Sequence, residues 1–228
     1  MVVTFSPGRK NTTRENIMGE IQNLCNNYNP VIDNGLIIIA DISGFTNYIN
    51  ASEIEHSQIN IARLLEAIID SNELGLSVSE IEGDAIFFFK FGDDYSFAEL
   101  INQIKVMTKN FYSTLNELSS NINCDCRACN VLSNLHIKFI VHIGRIGTIM
   151  IKNFCKLYGI DIIAAHRLLK NHLTINDYAL FTNKTVQKFS QEIEDSLLSD
   201  SDFIRDNDTY NDINIIDYFY IPLKKILR

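Results

Sequence analysis

The chain has 228 residues, of which 46% are hydrophobic and 21% charged, a composition typical of a globular protein with one full-sized core. Its net charge of −8, without any offsetting cluster of Lys and Arg, argues against binding to a nucleic-acid backbone. No apolar run approaches the ~18 residues that span a membrane, and five Cys without a leader-like N-terminus favour a reducing cytoplasm over a disulfide framework.

The first half of the chain alternates between strand and helix signals. Residues 1–34 are polar and predict a lead-in to a single domain at 35–228. The β-branched run LIIIADI predicts a buried strand, and SEIEHSQINIARLLEAIIDSN carries the apolar stripe of a helix. Next, LGLSVSEIEGDAIFFFKFGDD predicts two strands joined at Glu82-Gly83, and residues 97–120 predict a long amphipathic helix.

The second half continues the alternation. LHIKFIVHIGRIGTIMIKNF predicts a second hairpin that turns near Gly144-Arg145. GIDIIAAHRLLKN predicts a helix, YALFTN a short strand and KTVQKFSQEIEDSLLS another helix. The acidic stretch DSDFIRDNDTYNDIN is typical of a solvated loop, and IIDYFYIPL predicts a closing strand.

This element order predicts an α+β fold, a ferredoxin-like antiparallel sheet with helices on one face. In such a sheet the first and third strands are antiparallel neighbours, so Asp41 at the end of one would meet Asp84 at the start of the other. Two carboxylates at one edge repel each other unless they are protonated or bridged by a cation, and Mg²⁺ is commonly held in this way. The alternative for each Asp is a helix cap or a turn residue.

The residues that follow Asp41 suggest a partner for such a cation. Ser43-Gly44 interrupts the strand and opens a helix, which leaves backbone N–H groups without intrahelical partners. A metal held by two carboxylates beside a loop of free amides is a site for a polyphosphate. The net negative charge does not exclude such a ligand, because local amides and a metal outweigh it.

Four motifs in this order resemble the class III nucleotidyl cyclases, the adenylate/guanylate cyclase superfamily. ADISGFT and EIEGDAIFFF resemble the two metal motifs, IVHIGRIGTIMI resembles the hairpin that follows, and LYGIDIIAAHRLLKN resembles the helix with the pattern Gly-x-x-Val-Asn-x-Ala-x-Arg. The similarity extends over residues ~35–222, and it is the order of the four motifs that makes it specific.

The resemblance implies a role for several residues. Asp41, Asp84 and the backbone of Ile42 would hold two Mg²⁺ or Mn²⁺ ions, and Arg167 would stabilise the transferring phosphate. The backbone amides of Ile42 through Thr46 would bind the triphosphate, with Ser43, Gly44, Phe45 and Thr46 as the triphosphate-binding residues. The alternative for Arg167 is an ordinary surface arginine on an amphipathic helix.

Two further positions would contact the base. Glu80 matches the position at which adenylate cyclases carry Lys and guanylate cyclases carry Glu, and a carboxylate can accept hydrogen bonds from a guanine edge. Lys156 lies near the second base-selecting position, where the family has Asp or a small residue. An exposed strand Glu is also common, so the base stays open, pyrimidines included.

The chain departs from the family pattern at two positions. Ile163 stands where the family has its transition-state Asn, and no Lys matches the family's C-terminal Lys ahead of IIDYFYIPL. Losing one oriented polar group typically costs ~10²–10³ in rate. Two hypotheses therefore remain: a homodimeric cyclase that converts an NTP to a 3′,5′-cyclic nucleotide and pyrophosphate, or a degenerate nucleotide-binding or dimerisation module.

A cysteine cluster lies apart from these motifs. Cys124, Cys126 and Cys129 are close enough in sequence to share a structural Zn²⁺, with His136 or His142 as a candidate fourth ligand. The alternative is a loop with free thiols.

Overall fold

The structure, a computed structural model, describes residues 32–51, 54–120, 131–152, 154–196, 198 and 202–228. Its strands are β1 (Ile32–Ser43), β2 (Ser77–Glu82), β3 (Ala85–Phe91), β4 (His136–Ile151), β5 (Phe154–Tyr158), β6 (Tyr178–Thr182), β7 (Ile204–Tyr210) and β8 (Asn214–Pro222). Its helices are α1 (Phe45–Ala51), α2 (Ile54–Ile69), α3 (Phe97–Ser120), α4 (Ile160–Leu168), α5 (Asn183–Lys188), α6 (Ser190–Glu194) and α7 (Leu223–Ile226).

The described strands form one eight-stranded sheet in the order β2-β3-β1-β4-β6-β8-β7, with β5 paired to β4. The predicted antiparallel pairing of β1 with β3 is confirmed, and β2 and β3 are joined at Gly83-Asp84, where Gly83 has a positive φ of 63°. The pair β4–β6 is parallel and the other pairs are antiparallel. The predicted α+β class with a mainly antiparallel sheet is therefore confirmed.

The alternation of apolar residues along β1 builds a core on each face of the sheet. Leu36, Ile38, Ala40 and Ile42 pack on the face that α2 and α3 cover, and the short helices α5, α6 and α7 add to the same core. Ile37 and Ile39 point to the opposite face. Period-2 alternation with apolar residues at both positions is the pattern of a strand that is covered on both sides.

Helix α4 packs on that opposite face, through Ala165 and Leu168. The expectation that helices lie on one face of the sheet therefore holds for the helices that pack with α2 and α3. It is wrong for α4. Since Asp41 continues the series Ile37, Ile39 along β1, its side chain points to the α4 side of the sheet. The second face is thus the one that carries the candidate site.

Strand β4 runs without a turn from His136 to Ile151, so the predicted hairpin turn at Gly144-Arg145 is wrong. A Cβ on Gly144 would lie 2.3 Å from Cγ of Asp161, and the Arg145 N–H donates to Asp161 Oδ2 at 2.9 Å. The buried Asp161 carboxylate also bonds His142 Nε2 at 2.9 Å and Lys184 Nζ at 2.6 Å. Gly144 is there so that the first turn of α4 can approach the strand closely.

The acidic stretch near the C-terminus is a hairpin and not the expected solvated loop. Residues 204–210 form β7, which pairs with β8 in a continuous antiparallel register. The alternation of exposed and half-buried residues along β7 is that of an edge strand. Its charges concealed the strand signal, because an edge strand with one solvated side carries polar residues at many positions.

Two expectations from composition, on disulfides and on membrane-spanning segments, can be compared with the structure. Cys155, on β5, is disulfide-bonded, which the cysteine count had not predicted. None of the helices in the described ranges is both long and apolar enough to cross a lipid bilayer. The lead-in at 1–34 lies almost wholly outside the described residues.

We predict that Gly144→Ala destabilises the fold by about 2–3 kcal/mol, because the new methyl group would overlap Asp161 and push α4 from β4. The matched control is Gly83→Ala, which has open space around it and should cost only about 1–2 kcal/mol for its positive φ. Urea unfolding of both variants measures the difference. A Gly144→Ala midpoint equal to that of the control would show that Asp161 is not fixed in place.

Candidate functional site

The sheet register brings Asp41 and Asp84 to one edge. Asp41 pairs with Ala85 across the β1–β3 ladder, and the Ile42 N–H donates to the Asp84 carbonyl at 3.2 Å. Both carboxyl groups line a cavity of about 350 Å³ and a second one of about 650 Å³. The structure thus brings together the two residues predicted to hold a metal.

The Asp84 carboxyl is affected by its surroundings. Burial and, after it, the negative charge of Asp41 raise the pKa of Asp84 from 3.8 to about 6. No group of three His, Cys, Asp or Glu side chains in the described ranges is arranged to hold a metal ion. The pair would therefore rely on backbone, water and phosphate oxygens for its other ligands, as is usual for Mg²⁺.

Lys138 is a site residue that the sequence analysis missed. It lies directly opposite Asp41 on β4, and its Nζ is 2.9 Å from Asp41 Oδ2 and 3.1 Å from the Leu169 carbonyl. The side chains of Lys138 and Asp41 are 17% and 15% exposed, so this is a largely buried ion pair. A positive charge therefore already neutralises one of the two carboxylates.

The loop from β1 into α1 lines the smaller cavity through Ile42, Ser43, Gly44, Phe45 and Thr46. Gly44 has a φ of 89°, a left-handed conformation that allows the sharp change from strand to helix. The Ile42 N–H donates to the Asp84 carbonyl at 3.2 Å, so it could bind a triphosphate only after this bond opens, and that role stays a prediction. Its carbonyl remains the candidate metal ligand.

The larger cavity lies between this edge and α4, and it is lined by Asp41, Asp84, Ile163 and Arg167 of the same chain. Ile163 is 45% exposed, an unusual position for an apolar side chain and the one where the resemblance expects Asn. Arg167 is 51% exposed, and its Nε and Nη2 both donate to Asp212 Oδ2, at 3.0 and 2.5 Å.

The two candidate base-selecting residues also meet. Lys156 Nζ on β5 is 3.3 Å from Glu80 Oε2 on β2. His166 Nε2 is 3.8 Å from Glu80 Oε1, and its ring stacks on Phe87 with a centroid distance of 4.2 Å. Burial lowers the pKa of His166, which favours the neutral ring.

The proposed zinc ligands Cys124, Cys126 and Cys129 lie outside the described residues. His142 is a poor fourth ligand, because Thr182 Oγ1 and Asp161 Oδ1 each lie 2.9 Å from one of its ring nitrogens. Among the described residues, His136 has hydrogen-bond partners only at Nδ1, which lies 2.8 Å from Asp177 Oδ2.

Comparison with known proteins assigns the chain to a family. The family model described as "Protein of unknown function (DUF2652)" matches residues 61–178, just over half of the chain. The chain belongs to this family. An uncharacterised protein of Mycobacterium tuberculosis, Rv2561/Rv2562, is 31% identical over 133 residues, which are 58% of this chain and 62% of that relative. The chain thus spans less than two thirds of the relative's length.

Solved structures of adenylyl and guanylyl cyclases, and of a cyclase-like protein, resemble the fold of this DUF2652 member. The adenylyl cyclase CyaB from P. aeruginosa superposes with a TM-score of 0.61 at 13% identity, over 85% of this chain and 96% of the other. The guanylyl cyclase Cya2 gives 0.60 at 12% identity, over 84% and 92%. A class III adenylyl cyclase-like ATP-binding protein from Pseudomonas aeruginosa gives 0.59 at 12% identity, over 76% and 38%. The family resemblance seen in the motifs is confirmed at the level of the fold.

Sequence reasoning missed Lys138, His166 and Asp212, for different reasons. Lys138 alternates with the apolar residues of β4, so only the β1–β4 register could reveal its partner. His166 immediately precedes Arg167, and its spacing carried no signal. Asp212 lay in a stretch interpreted as solvent-exposed.

We predict that Asp84→Asn raises the stability of the metal-free protein at pH 7.5. The folded carboxyl keeps its proton up to about pH 6 and the unfolded one only to about 3.8, so protonation favours the folded state and this contribution is lost as pH rises through that range. The neutral amide of the variant does not lose this contribution. Its free energy of unfolding at pH 7.5 should therefore exceed that of wild type by on the order of 1 kcal/mol, after allowance for partial exposure.

Thermal unfolding between pH 4 and 8, with and without Mn²⁺, measures this effect. The variant should melt a few degrees above wild type at pH 7.5 without metal, and Mn²⁺ should stabilise the wild type but not this variant. Asp33→Asn, at the exposed start of β1, is the control. A variant that melts below wild type at pH 7.5 would contradict the claim that the ionised Asp84 carboxylate destabilises the metal-free fold.

Proposed function

We propose that this protein binds a nucleoside triphosphate with divalent cations at the Asp41–Asp84 edge and converts it to a 3′,5′-cyclic nucleotide and pyrophosphate. The observation that carries the proposal is the pairing of two carboxylates at adjoining strand ends, beside a cavity that Arg167 also lines. In this reaction the ribose 3′-oxygen forms a bond to the α-phosphorus. The bond from the α-phosphorus to the oxygen that bridges to the β-phosphate breaks, which releases pyrophosphate.

The carboxylate pair fits the cations that this fold family implies, because its mutual repulsion is relieved by positive charge. Asp41, Asp84 and the Ile42 carbonyl would hold two Mg²⁺ or Mn²⁺ ions, which when bound lower the pKa of the attacking hydroxyl and neutralise the leaving group. Asp84 must be ionised for this, so protonation of its carboxyl, whose pKa is raised to about 6 in the metal-free protein, should compete with metal binding as the pH falls.

Lys138 supplies a cation beside the pair. When divalent ions satisfy Asp41, the Lys138 ammonium is free to turn toward a phosphate oxygen in the same cavity. The amides of residues 43–46 would bind further phosphate oxygens. Lys138 thus offers a basic group for the triphosphate in a chain that lacks the family's C-terminal Lys.

Arg167 would stabilise the charge that develops on the transferring phosphoryl group, a role suited to its permanently charged, forked side chain. The family arrangement is a homodimer in which one subunit provides the metal pair and the other the Arg and base-contacting residues. We propose this composite dimer site. Because Arg167 lines a cavity with its own chain's carboxylates, a single-chain site is the alternative.

The second candidate is a nucleotide-binding module without turnover. It is favoured by Ile163, which puts an apolar and half-exposed side chain where cyclase chemistry uses Asn. The largely buried Lys138–Asp41 pair, which a metal must displace, points in the same direction. One of the structurally similar proteins is itself described as cyclase-like and ATP-binding.

An assay with Mn²⁺ and each of the four NTPs separates the two candidates. We expect a cyclic product and pyrophosphate from at least one NTP, loss of product in Asp41→Asn, and a fall of about 10²–10³ in kcat for Arg167→Ala. Lys170→Ala, which changes another basic residue lining the cavity, is the matched control. Saturable NTP binding without any product would make the module the correct function.

We further predict that Ile163→Asn raises kcat by about tenfold or more, because it restores an oriented polar group at the half-exposed position. Ile160→Asn, on the same helix and also exposed, controls for the change of surface polarity. Product formation over time, at saturating NTP, is the measurement. An unchanged kcat would mean that the site no longer uses this position.

A further inference from the structure

The β7–β8 hairpin contacts the helix that carries Arg167. Asp212 is in the turn between the two strands, and its Oδ2 accepts hydrogen bonds from Arg167 Nε at 3.0 Å and Nη2 at 2.5 Å. These bonds lower the pKa of the Asp212 carboxyl, so it stays ionised at neutral pH. The contact joins elements that are 45 residues apart in sequence.

The geometry of this contact leaves part of the guanidinium available. Asp212 engages the side formed by Nε and Nη2, and the described residues give Nη1 no hydrogen-bond partner. A guanidinium carries five N–H donors in one plane, so a carboxylate on one side and a phosphate on the other can bind it together. Asp212 therefore need not leave when a phosphate arrives.

The hairpin is also held beside α4 by contacts that do not involve Arg167. His172, four residues after the end of α4, bonds Asp208 Oδ1 at 2.8 Å and approaches Asp206 Oδ2 at 3.2 Å. Tyr218 on β8 donates to Asp208 Oδ2 at 2.9 Å. Asp212 is therefore presented by an anchored hairpin and not by an isolated turn.

We propose that Asp212 is a positioning residue that orients the guanidinium of Arg167 toward the phosphate of the substrate. A half-exposed arginine on a short helix has many rotamers, and fixing one of them reduces the entropy lost in reaching the transition state. The proposal rests on the proposed function, because it concerns the same substrate and site.

The test compares Asp212→Asn with Asp217→Asn in the full chain with Mn²⁺ and the NTP that the wild type converts. Asp217 is on the same hairpin and pairs with Arg205 at 3.5 Å, away from the cavity. We expect Asp212→Asn to lower kcat about tenfold with KM changed less than threefold, Asp212→Glu to recover part of the loss, and Asp217→Asn to match wild type.

A second measurement does not depend on turnover. In protein labelled with ¹⁵N-arginine, the Nε–H signal of Arg167, assigned with Arg167→Lys, should be sharp in wild type and Asp217→Asn and broadened or shifted in Asp212→Asn. Thermal unfolding checks that each variant is folded.

The outcomes separate the two proposals. The positioning role would be overturned if Asp212→Asn and Asp217→Asn had equal kcat. It would also be overturned if Asp212→Asn bound NTP more tightly and turned over faster, because Asp212 would then compete with the phosphate for Arg167. A wild type that neither binds nor converts any NTP, with the Nε–H signal still dependent on Asp212, overturns the function and leaves the contact purely structural.

Discussion

The position of β1 between β3 and β4 is the constraint on which the candidate site depends. One strand pairs with two antiparallel neighbours, so the end of β1 receives Asp84 from one side and Lys138 from the other. A shift of β1 by a single residue would turn Asp41 to the α3 face and separate it from both partners. The two apolar series of β1, buried on opposite faces, make such a shift very costly.

The charges at this edge are partly balanced before any ligand binds. Lys138 neutralises Asp41, while burial and the neighbouring charge of Asp41 favour the protonated form of Asp84. On the other side of the cavity, Asp212 neutralises Arg167. A metal–triphosphate complex carries both signs of charge, so its cations can replace Lys138 at Asp41 and its phosphate can share Arg167 with Asp212, without leaving a buried charge uncompensated.

The sequence predicted the fold well because its strongest signals were local and periodic. The stripe of α3, the apolar run of β1 and the Gly83 turn needed no knowledge of partners, and the element order then placed Asp41 next to Asp84. Gly144 was misinterpreted because a glycine for a turn and a glycine for close packing look the same in sequence. Lys138 and Asp212 could not be assigned partners, because strand register and the position of an edge hairpin depend on the assembled sheet.

The pairing of β1 with β4 also has a consequence for how the protein folds. Asp41 and Lys138 are register partners although almost a hundred residues separate them in the chain. Contacts of such long range slow folding, because the closure of a large loop precedes any gain from the ladder. On the ribosome, β1 can pair with β3 on one side, but its other side must wait for β4 to emerge, and until then it is an unpaired, aggregation-prone edge of the kind that chaperones bind.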